Sequence, residues 1–379
     1  MNFLFATAAQ IIFGLNSSEK LPNLLVGRHR VLMVTGKNTK KSKKLAEHFE
    51  KSTEVTVFQV EHEPTTTVVN EGAKLAREKQ CDAVVALGGG SVIDAAKAIA
   101  AMATNPGELL DYLEVIGDGK PLTEEPLFCI ALPTTAGTGA EVTKNSVIKS
   151  LEHNVKVSLR SDAMYPDIAL IDPALTYSMP PGLTASTGVD ALTHLLETFV
   201  SNQANPFIDM ICREGLTRIS RSLLTAYRNG NDEQARTDMA LASMLGGMAL
   251  ANVKLGAVHG FAGPMGGMYP IPHGAVCASL VSAVIETNIE VIKENGKDLS
   301  KYSELARILT DNEGALAEDA IVWTENLVRE LKIPSLSVYG LSEADFPELV
   351  QKAKAASSMR GNPVVLNDEQ LNWILEKSL

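Results

Sequence analysis

From Val31 to Ile171 the chain exchanges two periods of hydrophobicity, and that exchange restricts its first half to one class of fold. Short apolar runs of strand length stand at Val31–Thr35, Glu54–Val60, Ala83–Leu87, Leu127–Leu132 and Ile168–Ile171. Between them lie stretches of helical period: a lysine-rich one running to about Glu50, then Val68–Lys79 and Ser91–Met102. Strands and helices alternating at this spacing predict βαβ units and a parallel sheet. Asn145–Leu159 is polar and reads as a hairpin-like stretch. After Met179-Pro180-Pro181 helical period dominates: Leu183–Val200, Ile208–Asn229, Glu233–Leu255, a helix opening near His273 and others up to Leu379. We expect an α/β domain over residues 1–180 and an all-helical domain over residues 181–379, divided at the two prolines.

Two loops of the first half carry ligand-binding chemistry. Gly88-Gly89-Gly90-Ser91 joins the strand Ala83–Leu87 to the helix Ser91–Met102, with Asp94 three residues on. Three glycines let the backbone approach a phosphate closely, and the helix N-terminus offers free N–H groups and a positive dipole end. A tight βα turn would also use glycines, and the spacing is not that of G-x-G-x-x-G. The next strand is followed by a second polar, glycine-containing loop, Pro133–Glu141 (P-T-T-A-G-T-G-A-E). Loops at the carboxyl ends of parallel strands are where a doubly wound sheet binds its ligand, which favours the phosphate reading.

The helical half holds a possible metal site. Asp190 and His194 are four residues apart on a predicted helix, hence on one face with Cβ atoms about 5–6 Å apart. Such a pair can share a divalent cation, although taken alone it is more often a surface cap or ion pair. His259 and His273 follow at a distance. Between them stand Gly260, Gly263, Pro264, Gly266, Gly267, Pro270 and Pro272, too many breakers for one continuous helix. The chain can therefore reverse there and return both imidazoles to the Asp190–His194 face.

Composition narrows the function classes. With 379 residues, 45% of them hydrophobic, the chain can bury one large core or two. A net charge of −11 argues against a nucleic-acid or anionic-membrane partner. Cys81, Cys129, Cys212 and Cys277 show no C-x-x-C spacing and sit among apolar residues, as reduced buried thiols of a cytoplasmic protein would. The apolar N-terminus lacks basic residues and is too short for a signal peptide, and no uninterrupted apolar run reaches about 18 residues. A soluble cytoplasmic protein without a membrane span is expected.

Taken together, V-V-A-L-G-G-G-S-V-I-D-A-A-K, P-T-T-A-G-T-G-A-E-V-T, I-D-P-A-L-T-Y-S-M-P-P, D-A-L-T-H and H-G…I-P-H-G carry a family pattern in this order. From about Val31 to about Leu280 the chain resembles the iron-containing (group III) alcohol dehydrogenases, a family that includes lactaldehyde reductase and 1,3-propanediol dehydrogenase. The resemblance implies an α/β nucleotide-binding domain with a parallel sheet, an all-α C-terminal domain, and the architecture shared with dehydroquinate synthase. It implies pyrophosphate binding at Gly88, Gly89, Gly90 and Ser91, with Asp94 nearby. Thr134, Thr135 and Thr138 would lie on the nicotinamide side, with Lys156 reaching the active site and Leu175 near the cofactor. Asp190, His194, His259 and His273 match the family's metal ligands, and Lys156 and His259 are the candidate catalytic residues. The implied ion is divalent, Fe²⁺ first and Zn²⁺ second. The implied activity is NAD(P)-linked interconversion of a small alcohol and its aldehyde, with hydride passing to or from the nicotinamide C4. Glycerol dehydrogenase and maleylacetate reductase are the nearest alternatives. A dehydroquinate synthase-like lyase would need a basic pocket, for which the helical half shows no matching Lys/Arg cluster. A catalytically silent nucleotide-binding protein would have no need of four retained ligands. A homodimer or larger homo-oligomer is expected.

Two positions depart from the family pattern. Many members carry a histidine four residues after the third ligand, where this chain has Gly263. NAD-preferring members usually have Asp after the second strand of the nucleotide domain, where this chain has Gly36. An Asp there accepts hydrogen bonds from the ribose 2′-OH and repels a 2′-phosphate. Gly36 removes that repulsion, and Lys37, Thr39, Lys40 and Lys41 follow within reach of an anion, so NADP(H) is expected over NAD(H) by a small margin.

Overall fold

The computed structural model describes residues 2–37, 45, 47, 53–153 and 155–379. Its first half is built on a parallel sheet of strands β1 (Gln10–Phe13), β2 (Arg30–Thr35), β3 (Glu54–Gln59), β4 (Ala83–Gly88), β5 (Phe128–Pro133) and β8 (Ile168–Ile171). Their order is β1-β8-β5-β4-β2-β3, every pairing parallel. The two remaining strands, β6 (Asn145–Ser150) and β7 (Val155–Arg160), form the antiparallel hairpin that the polar stretch suggests. β1 is too short to stand out in the sequence; its pairing with β8 reveals it.

The period of two sorts the strand residues into layers. Leu32 and Val34 of β2, Val84 and Ala86 of β4 and Ala131 of β5 face helices α1 (Thr66–Glu78) and α2 (Gly90–Thr104). Val31, Met33, Ala83, Val85, Leu87, Ile130 and Leu132 face the opposite way, onto Leu21 and Leu25. Covered on both faces, β4 is buried throughout and reads as an unbroken apolar run, whereas the edge strand β3 is only half-buried. The chain runs from β2 outward to β3, then back across to β4 and on to β5. The strand order thus reverses between β2 and β4, the switch point at which such sheets bind ligands.

Lys97 of α2 is wholly buried and ties the second loop to this scaffold. Its ammonium donates to the carbonyls of Ala140 (2.9 Å) and Asn145 (2.5 Å) and to Thr143 Oγ1 (3.0 Å), and pairs with Asp94 Oδ1 at 3.2 Å. A buried charge persists only when satisfied this fully. In the same loop Glu141 is also buried, and burial pushes its carboxyl from 4.5 up to about 7. The folded state therefore binds more protons than the unfolded one between those values. Stability should fall as pH rises through that window, by on the order of 3 kcal/mol. Glu141→Gln should abolish this slope, which urea unfolding near pH 5 and near pH 8 would read; parallel pH profiles of the two proteins would refute it.

The second half is helical: α3 (Pro181–Val200), α4 (Pro206–Arg228), α5 (Glu233–Asn252), α6 (Ala257–Met268), α7 (His273–Glu294), α8 (Ser300–Thr310), α9 (Asp319–Leu331), α10 (Phe346–Ala355) and α11 (Asp368–Ser378). Pro181 opens α3 at its first position, where a missing N–H costs nothing. Asn205 and Asp232 cap α4 and α5 by accepting from backbone N–H groups. The glycine- and proline-rich segment is not one continuous helix, as expected, but most of it is helical. Gly260, Gly263, Pro264, Gly266 and Gly267 all lie within α6, and the break is confined to the few residues between α6 and α7. Packing overrides propensity here: α6 buries His259, Phe261 and Met265 together with its first turn. Long and apolar enough to cross a membrane, α7 has 78% of that stretch buried within the protein, which makes it a core helix.

By contact the chain divides into two compact units, Ala6–Ser178 and Met179–Leu379, the latter joined by residues 2–5. Most of the lysine-rich stretch expected as a helix, with Thr39, Lys40 and Lys41, lies outside the described residues.

Candidate metal centre and nucleotide loops

From Gly188 to Val200 every residue of α3 is buried, so its polar side chains must find partners inside the protein. Thr193 and Thr198 bond back to the carbonyls of Val189 (2.7 Å) and His194 (2.6 Å). Asp190, His194 and Glu197 instead turn toward α6 and α7. Asp190 Oδ1 lies 3.6 Å from His194 Nε2, 3.5 Å from His259 Nε2 and 3.5 Å from His273 Nε2. The rings of His194 and His259 stack with centroids 4.6 Å apart, and His273 lies 5.3 Å from His259. The Nε2 of each expected histidine thus lies within 3.6 Å of Asp190 Oδ1, whereas the group whose ligand atoms all lie within 4.8 Å of one another is Asp190, His259, His273 and Cys277, without His194. Small residues permit this approach: a Cβ at Gly274, next to His273, would stand 2.0 Å from the Ser186 carbonyl oxygen on α3.

Two further residues belong to this cluster and escaped the sequence reading. Glu197 sits at the N-terminus of α6. Its Oε1 accepts from the Val258 N–H at 2.7 Å, and its Oε2 accepts from His259 Nδ1 at 2.7 Å and from the His259 N–H at 3.4 Å. Asn362 Oδ1 takes the Ala257 N–H at 3.2 Å. Glu197 therefore caps α6 and fixes the His259 tautomer, leaving Nε2 to face Asp190. The second is Cys277, one helical turn beyond His273, with Sγ 3.6 Å from Asp190 Oδ1 and 3.9 Å from His259 Nε2. The signal for both was spacing: Glu197 follows His194 by three residues and Cys277 follows His273 by four.

The electrostatics suit a cation. Burial alone would raise Asp190, but the imidazoles of His194, His273 and His259 hold it well below the usual carboxylate range. Burial opposes protonation of His259, yet the Cys277 sulfur, Asp190 and Glu197 raise its pKa well above the ordinary imidazole value. His273 is raised for similar reasons, by Cys277 and Asp190 against burial. An ionised carboxylate among imidazoles that already favour positive charge is a donor set into which a divalent ion fits by displacing protons.

In the α/β unit Gly36, the Gly88–Ser91 turn and the loop after β5 lie at the carboxyl ends of β2, β4 and β5, around the switch point. The Thr134 N–H donates to the Gly88 carbonyl at 2.9 Å. A Cβ at Gly88 would stand 2.5 Å from Val92, one at Gly89 3.2 Å from Thr135 and one at Gly90 2.8 Å from Thr138. A side chain at Gly88 or Gly90 would force α2 or the second loop to shift, and one at Gly89 would press on Thr135. Among the described residues no side chain caps α2, whose N-cap is Gly89, so the N-terminus that Gly90 and Ser91 begin keeps donors for an anion. At the end of β2, Gly36 has its Cβ position 3.8 Å from Val92, close to the glycine turn, and Lys37 is exposed. Three candidates are already engaged. Asp94 pairs with Lys97 and accepts from the Val147 N–H at 3.1 Å, Lys156 pairs with Glu63 at 2.5 Å, and Leu175 packs on the Leu21–Leu25 layer.

Known proteins resemble this chain in sequence and fold. Residues 8–173 match the family described as iron-containing alcohol dehydrogenase, and residues 184–379 match the Fe-containing alcohol dehydrogenase family, C-terminal. An NADPH-dependent butanol dehydrogenase of Clostridium saccharobutylicum is 33% identical over 98% of this chain and 97% of its own length. An NAD-dependent methanol dehydrogenase of Bacillus methanolicus is 33% identical over 93% of each chain. A crystal structure of 1,3-propanediol oxidoreductase superposes with a TM-score of 0.93 at 33% identity, covering 100% of both chains. With both halves matched in order, the chain belongs to the iron-containing alcohol dehydrogenases and is an NAD(P)-linked alcohol oxidoreductase.

Proposed function

We propose that Asp190, His194, His259 and His273 hold one divalent cation, Fe²⁺ before Zn²⁺, at the centre of reversible alcohol–aldehyde interconversion. One observation carries the reading: a single carboxylate oxygen stands 3.5–3.6 Å from the Nε2 atoms of three histidines. When bound, such an ion supplies a Lewis acid for a carbonyl or alkoxide oxygen. Asp190 contributes the negative charge and Glu197 keeps the His259 Nδ1 proton, so that Nε2 presents a lone pair. The turn Gly88–Ser91 and the uncapped start of α2 take the pyrophosphate, with Thr134, Thr135 and Thr138 in the adjoining loop. Lys156 and Leu175 belong to the same α/β unit as that turn, which supports keeping both on the cofactor side. Purified protein should carry about one divalent ion per chain and lose aldehyde reduction on chelation, with recovery on adding Fe²⁺ or Zn²⁺. Full turnover by thoroughly demetallated protein would refute the reading.

The same reading assigns NADP(H) a small preference, supported by Gly36 at the end of β2 beside the switch point. Partly exposed charge–phosphate contacts are weak, so kcat/KM should favour NADPH by only about tenfold, less at high salt, and Gly36→Asp should reverse the ratio. A wild-type preference for NADH would sink it. Substrate size turns on Gly263, one turn past His259, where nothing described lies within 4 Å of the Cβ position. Gly263→His should therefore be tolerated and should cost bulky aldehydes about tenfold more activity than small ones. Equal losses would show that this position does not shape the pocket. A homodimer or larger assembly in a reducing cytoplasm completes the reading; free, buried Cys81, Cys129, Cys212 and Cys277 support the compartment, and sedimentation would settle the assembly.

A further inference from the structure

We infer that Cys277 is an additional metal ligand in this chain, donating its sulfur to the same divalent ion as Asp190, His259 and His273. The inference rests on the metal-centre reading and adds a residue that reading does not use. Asp190, His259, His273 and Cys277 each offer one ligand atom, and all four atoms lie within 4.8 Å of one another. Donor atoms bound at about 2.0–2.3 Å to one shared ion stand about 3–4 Å from one another. The separations found are 3.5 Å for each of His259 and His273 to Asp190, 3.6 Å for Cys277 to Asp190 and 3.9 Å for Cys277 to His259.

Helix geometry explains the convergence. His273 and Cys277 are four residues apart on α7, as Asp190 and His194 are on α3, so each helix presents two donors from one face. Cys277 is wholly buried at that position. The remaining thiols have other surroundings. Burial pushes Cys129 and Cys212 up to about 12 and Cys81 to about 11, and Cys212 is engaged with Thr198 Oγ1 at 3.3 Å. Ligation forms one sulfur–metal bond and releases the thiol proton to solvent. It adds a soft donor to a borderline N/O set and so strengthens the preference for thiophilic ions such as Zn²⁺ over Mn²⁺.

Cobalt reports the coordination directly. The full chain, stripped of metal and loaded with Co²⁺, should show visible ligand-field bands together with an intense near-ultraviolet sulfur-to-cobalt charge-transfer band. Cys277→Ser should keep the visible bands and lose the near-ultraviolet one, and its Zn²⁺-to-Mn²⁺ affinity ratio should fall about tenfold or more. Visible bands without charge transfer in the wild type, or an unchanged spectrum in Cys277→Ser, would overturn the assignment and leave Cys277 a thiol donating to Asp190. No Co²⁺ binding at all would overturn the underlying metal centre as well. Should Cys277→Ser fail to fold by circular dichroism, Cys277→Ala takes its place, and the wild-type spectrum still decides.

Discussion

Asp190→Ala protein should be purified without a divalent ion, and its kcat/KM for aldehyde reduction should fall by about 10³-fold or more, the equivalent of about 4 kcal/mol of Lewis-acid stabilisation. The expectation follows from where the carboxylate stands. Its Oδ1 is the common neighbour of the three Nε2 atoms and of Cys277 Sγ, so its removal leaves buried imidazoles with no negative charge between them. Because Asp190 is nearly fully buried, lost activity could also reflect a disturbed α3. His273→Ala separates the two: its side chain is 40% exposed, so truncation there removes a donor with little loss of packing. Metal analysis and steady-state kinetics on both variants give the answer. A metal-free Asp190→Ala or His273→Ala enzyme with wild-type turnover would remove the ion from the mechanism.

Gly274→Ala should be nearly as damaging without touching a donor atom. The added methyl would stand 2.0 Å from the Ser186 carbonyl oxygen and 2.5 Å from its carbon, against backbone that cannot swing away as a side chain could. To accept it, α7 must move off α3, and those are the helices that carry His273 and Asp190. Overpacking of this kind costs about 3 kcal/mol, which corresponds to a fall of about 6–12 °C in melting temperature for a unit of this size. Metal affinity should drop at least about tenfold, because donors displaced by a fraction of an ångström no longer share one centre. Differential scanning calorimetry and metal titration test the pair of effects. A stable Gly274→Ala protein with unchanged affinity would show that α3 and α7 have slack at their contact.

How far each feature can be read from residues alone follows from the range of the interaction behind it. The parallel sheet is legible because each strand carries its own evidence: β4 is apolar from Ala83 to Leu87 since both its faces are covered, a local consequence of a central position. β1 is not legible, because four residues at an edge hold no period long enough to register, and only the pairing of Gln10–Phe13 with Ile168–Ile171 makes them a strand. The interruption expected between His259 and His273 is present but confined to the residues between α6 and α7, because packing and the cap from Glu197 and Asn362 hold α6 together against its glycines and Pro264. At the metal centre, a 3.6-residue repeat places Asp190 over His194, and His273 over Cys277, wherever those helices form. Which helix faces which is a separate matter. That Asp190 Oδ1 meets His259 and His273, that Glu197 fixes the His259 tautomer and that Cys277 enters the cluster all depend on the distance between α3, α6 and α7. That distance is set by contacts between residues far apart in the chain, such as Gly274 against Ser186, to which no periodicity within a single segment responds.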